Sequence, residues 1–324
     1  MKLNEQQIAD ITLGALKIYR DAQNIYRFTR MTDRQAAEFA LEHEEFGEKT
    51  VATAGIRFDF YTNAEFVSFK FDGVVRGSTR SWYSFDLYVN GSLTQTAIKD
   101  INDPSGEIYQ KLDGKTNRIQ LFLPCIAKGG ISEVELSDGA TITPFETKLK
   151  MLVLGDSITQ GYDARMSSCC YANLMAKKLD AEIVNQAIGG AKFYKEQLEY
   201  TGEYDAITVA YGTNDWSGRP SFEAFCSHCD EYFKTLSEMY PNTKKFAILP
   251  IWRKHWYTEK PTGNFFTCRK FISDTAEKYG IIPLDSIDYV PHDSIFFNDQ
   301  TLHPNDIGFV AYAENLVTDL RKYL

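Results

Sequence analysis

Four short polar segments in the second half of the chain could together perform acyl transfer. They are Gly155-Asp156-Ser157, Asn185 to Gly190, Tyr211 to Asp215 and Asn298 to Asn305. The first three follow apolar runs that have the length and boundaries of buried strands, and the fourth precedes the last predicted helix. Because the carboxyl ends of parallel strands meet at one edge of a sheet, we expect these segments to lie close together.

The residue types in these segments match the requirements of a serine hydrolase. A serine hydroxyl becomes a good nucleophile when a base takes its proton, and His303 is the candidate base for Ser157. Attack on an ester carbonyl places negative charge on oxygen, which the N–H groups of Ser157 and Gly190 and the side-chain amide of Asn214 could stabilise. A carboxylate on the other histidine nitrogen steadies the imidazolium, and Asp299 is near enough in sequence.

Each segment taken alone also fits an ordinary structural feature. Asp156 and Ser157 suit a helix cap, Gly190 a loop, Asn214 a turn, and His303 before a proline a helix start. Their joint occurrence, in this order and each at the end of a predicted element, favours the enzyme. Two adjacent cysteines are rival nucleophiles, but they lie in a predicted helical segment without a histidine nearby in sequence, at Cys169 and Cys170.

The second half resembles the SGNH (GDSL-like) hydrolases, over about residues 148 to 324. Gly155-Asp156-Ser157 is similar to the nucleophile block of that family, Gly190 to the glycine of its second block, Gly212 to Asp215 to its third, and His303 to its base. The resemblance implies a serine esterase on a flavodoxin-like, three-layer αβα fold that needs no cofactor and no metal.

One position departs from the family pattern. An aspartate usually stands three residues before the histidine, where this chain has Gln300, and Asp299 is four residues before it. Either a one-residue bulge brings Asp299 to His303, or Gln300 or a backbone carbonyl orients the histidine. We favour Asp299, because an ionised partner stabilises imidazolium better than a neutral one.

Five residues are predicted to bind substrate. Asp156 and Asp215 belong to the first and third blocks, and Trp216 follows the third block. Trp252 and Trp256 follow the fourth predicted strand, on the expected side of the active site, where aromatic faces would suit sugar rings. Ordinary packing of these aromatic residues is the alternative.

A predicted β domain ahead of the hydrolase resembles two-domain bacterial carbohydrate esterases. This resemblance implies a small-molecule ester substrate, foremost an acetylated sugar or oligosaccharide. Two alternatives stay open, namely an esterase or thioesterase for lipid-like or other acyl groups, and a catalytically inactive sugar-binding protein. A homo-oligomer is also left open.

The chain must contain two kinds of sheet to position these segments. From about residue 50 the apolar residues alternate with polar ones, as in Ile56, Phe58 and Phe60, and this period recurs to Leu136. Short strands without long helices between them predict an antiparallel β-sandwich of jelly-roll type over residues 1–146, after short helical segments at 4–20 and 32–42.

After Pro144, strands and helices alternate, which predicts an α/β domain over residues 147–324 with a parallel sheet covered on both faces. Its predicted strands are 151–154, 183–187, 206–210, 246–251 and 281–284. Its predicted helices are 168–179, 192–200, 221–239, 264–279 and 305–323.

Composition excludes several classes of protein. The chain has 324 residues, 44% of them hydrophobic, and a net charge of −9, which argues against nucleic acid and anionic membrane surfaces as partners. Without a signal-peptide pattern or a spanning apolar run, we expect a cytoplasmic protein. Cys226 and Cys229 have a metal-like spacing around His228, but a zinc site needs a second pair, so we expect buried thiols.

Overall fold

The computed structural model of the protein describes every residue from Met1 to Leu324. Antiparallel strands dominate the first half of the chain, and a parallel sheet with helices forms the second. The strands are β1 (Thr12–Leu13), β2 (Lys17–Arg20), β3 (Tyr26–Thr29), β4 (Arg57–Thr62), β5 (Phe66–Phe71), β6 (Val75–Arg76), β7 (Trp82–Val89), β8 (Ser92–Asp100), β9 (Gly106–Lys111), β10 (Asn117–Phe122), β11 (Ala127–Lys128), β12 (Ile131–Leu136), β13 (Ile142–Pro144), β14 (Leu149–Gly155), β15 (Ala181–Asn185), β16 (Ala206–Ala210), β17 (Lys244–Ile248) and β18 (Ile282–Leu284). The α-helices are α1 (Glu5–Ile11), α2 (Asp33–Glu42), α3 (Glu44–Thr50), α4 (Ser157–Gln160), α5 (Tyr171–Lys178), α6 (Thr213–Gly218), α7 (Phe222–Met239), α8 (Phe265–Lys278) and α9 (Asp306–Leu320).

Two antiparallel sheets form a sandwich in the first half. One has the order β1-β4-β10-β7-β8, with β13 also paired to β4, and the other has the order β2-β3-β12-β5-β9. Their inner faces meet through aromatic rings, because Phe58 lies 6.1 Å from Phe69 and Phe71 stacks on Phe85 at 4.5 Å. The predicted antiparallel sandwich is confirmed.

The second half contains a five-stranded parallel sheet in the order β15-β14-β16-β17-β18. In chain order this is 2-1-3-4-5, the flavodoxin-like arrangement, whose switch point lies between β14 and β16. Met151 and Val153 pack in the core that contains α5 and α9, whereas Leu152 and Leu154 pack in the core that contains α7 and α8. This alternation confirms the predicted three-layer α/β architecture.

Two predicted helices differ from the structure. The first ends at Ile11 rather than near residue 20, because Thr12 and Leu13 pair with β4 as a short strand. Residues 192–200 contain only a turn of 3₁₀ helix at Lys195–Gln197. The other predicted helices are present, with ends that differ by three residues or fewer.

The two halves are connected by a short segment after Pro144, before Leu149 opens the parallel sheet. The division between residues 146 and 147 falls in this segment and stays a proposal. Both cores of the α/β half include side chains from the first half, among them Phe39, Ala54 and Ile126. No helix combines the length and the apolar character needed to cross a membrane.

Candidate active site

Ser157 stands at a sharp turn between β14 and α4. Gly155 ends the strand so close to the helix that a Cβ on it would lie 2.2 Å from Oγ1 of Thr159, so only glycine fits. Asp156 caps α4, since its carboxylate accepts the N–H of Ile158 at 3.0 Å. The turn places Ser157 as the first residue of α4, where backbone N–H groups lack helical partners.

The structure brings Ser157, His303 and Asp299 together. Oγ of Ser157 lies 2.8 Å from Nε2 of His303, and Nδ1 of His303 lies 2.7 Å from a carboxylate oxygen of Asp299. These distances are those of a nucleophile, a base and a carboxylate that orients the base.

A left-handed residue accounts for the unusual spacing of this segment. Gln300 has φ +59°, and the chain there turns so that the N–H groups of Thr301, Leu302 and His303 all donate to the Asp299 carboxylate. Burial acts to raise the pKa of Asp299, but hydrogen bonds from His303, Leu302 and Thr301 outweigh it and hold the pKa well below its usual range. Asp299 is therefore ionised at neutral pH.

The expected oxyanion donors lie on neighbouring loops. The loop after β15 is anchored to α4, because the N–H of Gly189 donates to the Gln160 side chain at 2.7 Å. Gly190 follows with φ +94°, and the amide of Asn214 donates one hydrogen bond to the Ala191 carbonyl at 3.1 Å. An amide nitrogen carries two hydrogens, so one remains for a substrate oxygen. The role of Ser157, Gly190 and Asn214 as an oxyanion hole stays a proposal.

Two acidic residues predicted to bind substrate are buried instead. Asp215 accepts the N–H of Phe193 and the Nε–H of Arg219, both at 3.1 Å. Asp156 is occupied with the cap of α4, and burial raises its pKa to about 7. Each carboxylate is enclosed by the fold and holds a loop or a helix end, and a role of Asp156 and Asp215 in binding substrate stays a prediction.

The three tryptophans also differ from one another. Trp216 is only 1% exposed; its indole N–H donates to the Gly263 carbonyl at 3.0 Å and its ring packs edge-on against Phe265. The helix α6 directs the ring into the core, and contact of Trp216 with substrate stays a prediction. Trp252 and Trp256 are half-buried.

Several residues around the site were not predicted from the sequence. Asp163 lies 3.7 Å from Nδ1 of His303 and is paired with Arg80 of the first half. The Phe46 ring lies against Gly190, and Nζ of Lys49 donates to the Gly189 carbonyl at 3.0 Å. Only Asp163 is near a recognised block in sequence; Arg80 stands 75 residues before Gly155, and Phe46 and Lys49 stand more than a hundred residues before it.

The cysteines are placed away from this chemistry. Burial raises the pKa of Cys169 to about 12, so it remains a thiol and does not rival Ser157 as a nucleophile. Cys229 is buried in the core and Cys226 is half-buried, while Nδ1 of His228 lies 2.7 Å from the carbonyl of Ala224 on its own helix.

The comparisons agree with this geometry. Residues 153–310 match the GDSL-like Lipase/Acylhydrolase family. They form a GDSL-like hydrolase domain. This domain identifies the protein as an ester hydrolase, which confirms the prediction. A search of curated protein sequences gave no significant match.

Solved structures resemble the GDSL-like domain and the sandwich together. The salicylyl-acyltransferase SsfX3 from a tetracycline biosynthetic pathway is 18% identical, with a TM-score of 0.80 over 97% of this chain and 95% of that one. A protein from Bacteroides ovatus described as a GDSL-like lipase is 19% identical, with a TM-score of 0.77 over 99% and 97%. The acetyl xylan esterase Est2A from Butyrivibrio proteoclasticus is 13% identical, with a TM-score of 0.64 over 99% and 98%. At these identities the likeness shows a shared two-part fold.

Proposed function

We propose that this ester hydrolase removes short acyl groups, foremost acetyl, from carbohydrates through an acyl-enzyme on Ser157. The observation that carries the proposal is the continuous chain of contacts from Ser157 through His303 to Asp299, with distances of 2.8 and 2.7 Å.

Each residue has a defined step in the proposed reaction. Nε2 of His303 takes the proton of Ser157 as Oγ attacks the ester carbon, and the oxyanion receives hydrogen bonds from the N–H groups of Ser157 and Gly190 and from Asn214. His303 then gives its proton to the leaving alcohol. Water then attacks the acyl carbon while His303 takes one of its protons, and the bond from that carbon to Oγ of Ser157 breaks as His303 returns the proton to Oγ and the acid leaves. The Asp299 carboxylate stabilises the imidazolium in both halves of the reaction.

The core beneath the serine turn leaves no tunnel for a long acyl chain. The cavity bordered by Asp156, Thr213 and Ile251 has a volume of about 20 Å³. Such a volume is close to the minimum for one water molecule.

The surroundings of the glycine loop favour a polar alcohol. A groove of about 230 Å³ runs past Lys49, whose ammonium group contacts Gly189, and its six lining residues include no apolar one. They are Glu45, Glu48, Lys49, Arg76, Ser78 and Thr79. Charged and hydroxyl groups of this kind suit sugar hydroxyls, and the half-buried Trp252 and Trp256 are aromatic residues of the kind that suits sugar faces. The acetyl xylan esterase among the structural neighbours adds support for a sugar ester.

An acetate-release screen over acetylated sugars tests the proposal. We expect wild-type protein to release acetate, and Ser157→Ala to lose the activity by at least about 10³-fold. An organophosphonate should label wild type and spare Ser157→Ala. Ser137→Ala, in the sandwich, is the matched control and should behave like wild type. Preference for long acyl chains over acetate would contradict the short-acyl proposal, and absence of both turnover and labelling would favour an inactive binding protein.

Acyl transfer is a second candidate, because the chain shares its fold over almost its whole length with an acyltransferase. An acyl-enzyme can be resolved by an alcohol in place of water. Product analysis with an activated acetyl ester and added sugars separates the two candidates. Transfer requires that acetylated sugar form at the expense of free acid, whereas hydrolysis yields free acid at every sugar concentration.

A further inference from the structure

An ion pair between the two halves lies beside the catalytic base. Arg80, in the loop between β6 and β7, binds both oxygens of Asp163, with Nε–Oδ1 and Nη2–Oδ2 distances of 2.5 and 3.0 Å. The Asp163 side chain is only 2% exposed and that of Arg80 is 25% exposed. The guanidinium also lies over the Tyr162 ring, 5.2 Å from its centre. The pair is therefore fixed on two sides.

Asp163 is a second carboxylate next to His303. One of its oxygens lies 3.7 Å from Nδ1, compared with 2.7 Å for Asp299. The longer distance is beyond a hydrogen bond, but two charges at this separation interact strongly where water is excluded. Both carboxylates thus face the same nitrogen of the base, and only one of them bonds to it.

We propose that Arg80 is a positioning residue for catalysis, which holds Asp163 away from His303 and balances its charge. A bidentate guanidinium is the strongest partner available to a carboxylate, and it uses both oxygens. Without Arg80, the buried Asp163 would be unpaired, and the nearest group able to compensate it would be the imidazolium of His303. The base would then retain its proton to higher pH, because a nearby carboxylate favours the charged form of histidine. This inference rests on the proposed role of His303 as base for Ser157.

The remaining groups around His303 are the same in every variant of the test. The Tyr162 ring lies 6.0 Å from the imidazole, and burial raises the pKa of its phenol to about 12. The Asp156 carboxylate interacts electrostatically with His303, and the Arg253 guanidinium interacts electrostatically with the carboxylates of Asp156 and Asp299. Since substitutions at Arg80 and Asp163 leave these groups in place, a change in the pH profile reports on the ion pair.

The test is the pH dependence of kcat/KM for p-nitrophenyl acetate in the full chain. We expect Arg80→Met to move the acid limb upward by about one pH unit, Asp163→Asn to leave it in place or move it downward, and the double variant to return it to the wild-type position. Arg80→Lys keeps the positive charge but cannot bind both carboxylate oxygens as a guanidinium does, so its acid limb should lie between those of wild type and Arg80→Met.

The control is Arg118→Met, which removes a similar bidentate arginine in the sandwich, bonded to Asp59 at 2.8 and 2.9 Å. It should leave the acid limb unchanged. An Arg80→Met profile that superimposes on wild type, or a double variant that fails to restore the limb, would overturn the inference. If Arg80→Met does not fold, the test uses the pH profile of Arg80→Lys. An acid limb at the wild-type position in Arg80→Lys would then overturn the inference. Failure of the proposed function is distinguishable, because wild type would then show no Ser157-dependent turnover.

Discussion

At the scale of single residues, Asp299 is the group whose contribution can be measured most directly. Its carboxylate accepts from Nδ1 of His303 and from three backbone N–H groups, so its position is fixed. Asp299→Asn should lower kcat by about 10²–10⁴-fold, because an amide can hold the imidazole in the wrong tautomer. Asp163 should not compensate while Arg80 occupies both of its oxygens.

Steady-state kinetics on an acetyl ester checks this prediction. Asp293→Asn is the matched control, since Asp293 is an exposed aspartate before a short 3₁₀ helix in the same region and should keep activity within about twofold. Wild-type activity in Asp299→Asn would contradict the triad and favour a Ser-His dyad whose histidine is oriented by another group.

Asp156 offers a prediction about stability rather than activity. Its pKa is raised to about 7 by burial, so the folded protein keeps a proton that the unfolded chain releases above its ordinary value of 3.8. Folding stability from this group is therefore present at acidic pH and is lost as pH rises toward 7. Asp156→Asn keeps the cap oxygen and should become more stable than wild type by as much as about 4 kcal/mol above neutral pH.

Thermal unfolding of wild type and Asp156→Asn at acidic and at alkaline pH checks this prediction. The Tm difference in favour of the variant should grow with pH. A difference that is constant with pH would mean that the carboxylate is ionised throughout, with its charge compensated by Arg253 or His303.

At the scale of elements, the loop from Asn298 to Pro304 brings Asp299 to His303 because Gln300 adopts a left-handed conformation. Gln300→Asn should retain activity within about twofold, because asparagine tolerates positive φ, whereas Gln300→Val should lower kcat by at least about tenfold, because a β-branched residue does not. Kinetics of the two variants, compared at equal folded fraction, is the measurement. Equal activities would show that the loop tolerates a different path between Asp299 and His303.

Elements set by local pattern were predictable from the sequence. The strand β14 and the helices α7, α8 and α9 have apolar periods and caps of their own, such as Ser221 before α7 and Asn264 before α8. Residues 192–200 carry the apolar spacing of a helix, but partners elsewhere in the fold hold their backbone. The N–H of Phe193 donates to Asp215, and the carbonyls of Glu196 and Leu198 accept from Arg34.

The residues of the candidate site were likewise predictable only where they stand in a local sequence pattern. Ser157 and His303 stand in recognisable blocks at the ends of predicted elements, and the structure brings them into contact. Trp216 lies next to such a block, yet one turn of α6 decides whether its ring faces the cleft or the core, and sequence position alone does not reveal this. Arg80 approaches Asp163 from 83 residues away, through an arrangement of loops that no local pattern specifies.

At the scale of the whole molecule, the sandwich and the GDSL-like domain share buried polar contacts. The side chain of Arg30 is fully buried, and it donates to the carbonyls of Ala52 and Lys49 in its own half and of Asn185 and Ala187 in the other. Burial lowers the pKa of Arg30 to about 10, which leaves it charged at neutral pH. The Asn185 to Gly190 loop is therefore held in part by the first half of the chain.

Arg30→Met should consequently destabilise the whole protein and not only one half. Four buried carbonyls would lose their donor, which predicts a loss of about 3 kcal/mol or more in the free energy of unfolding, and a lower kcat because Gly190 follows the released loop. Denaturant unfolding followed by tryptophan fluorescence, together with kinetics, measures both. Arg34→Met is the matched control: this arginine also joins the halves, through Glu199 at 3.1 Å and through the carbonyls of Glu196 and Leu198. Its side chain is 45% exposed, so the loss should stay near 1 kcal/mol or below it. Two separate unfolding transitions in Arg30→Met, with full activity after the first, would contradict the dependence of the active site on the sandwich.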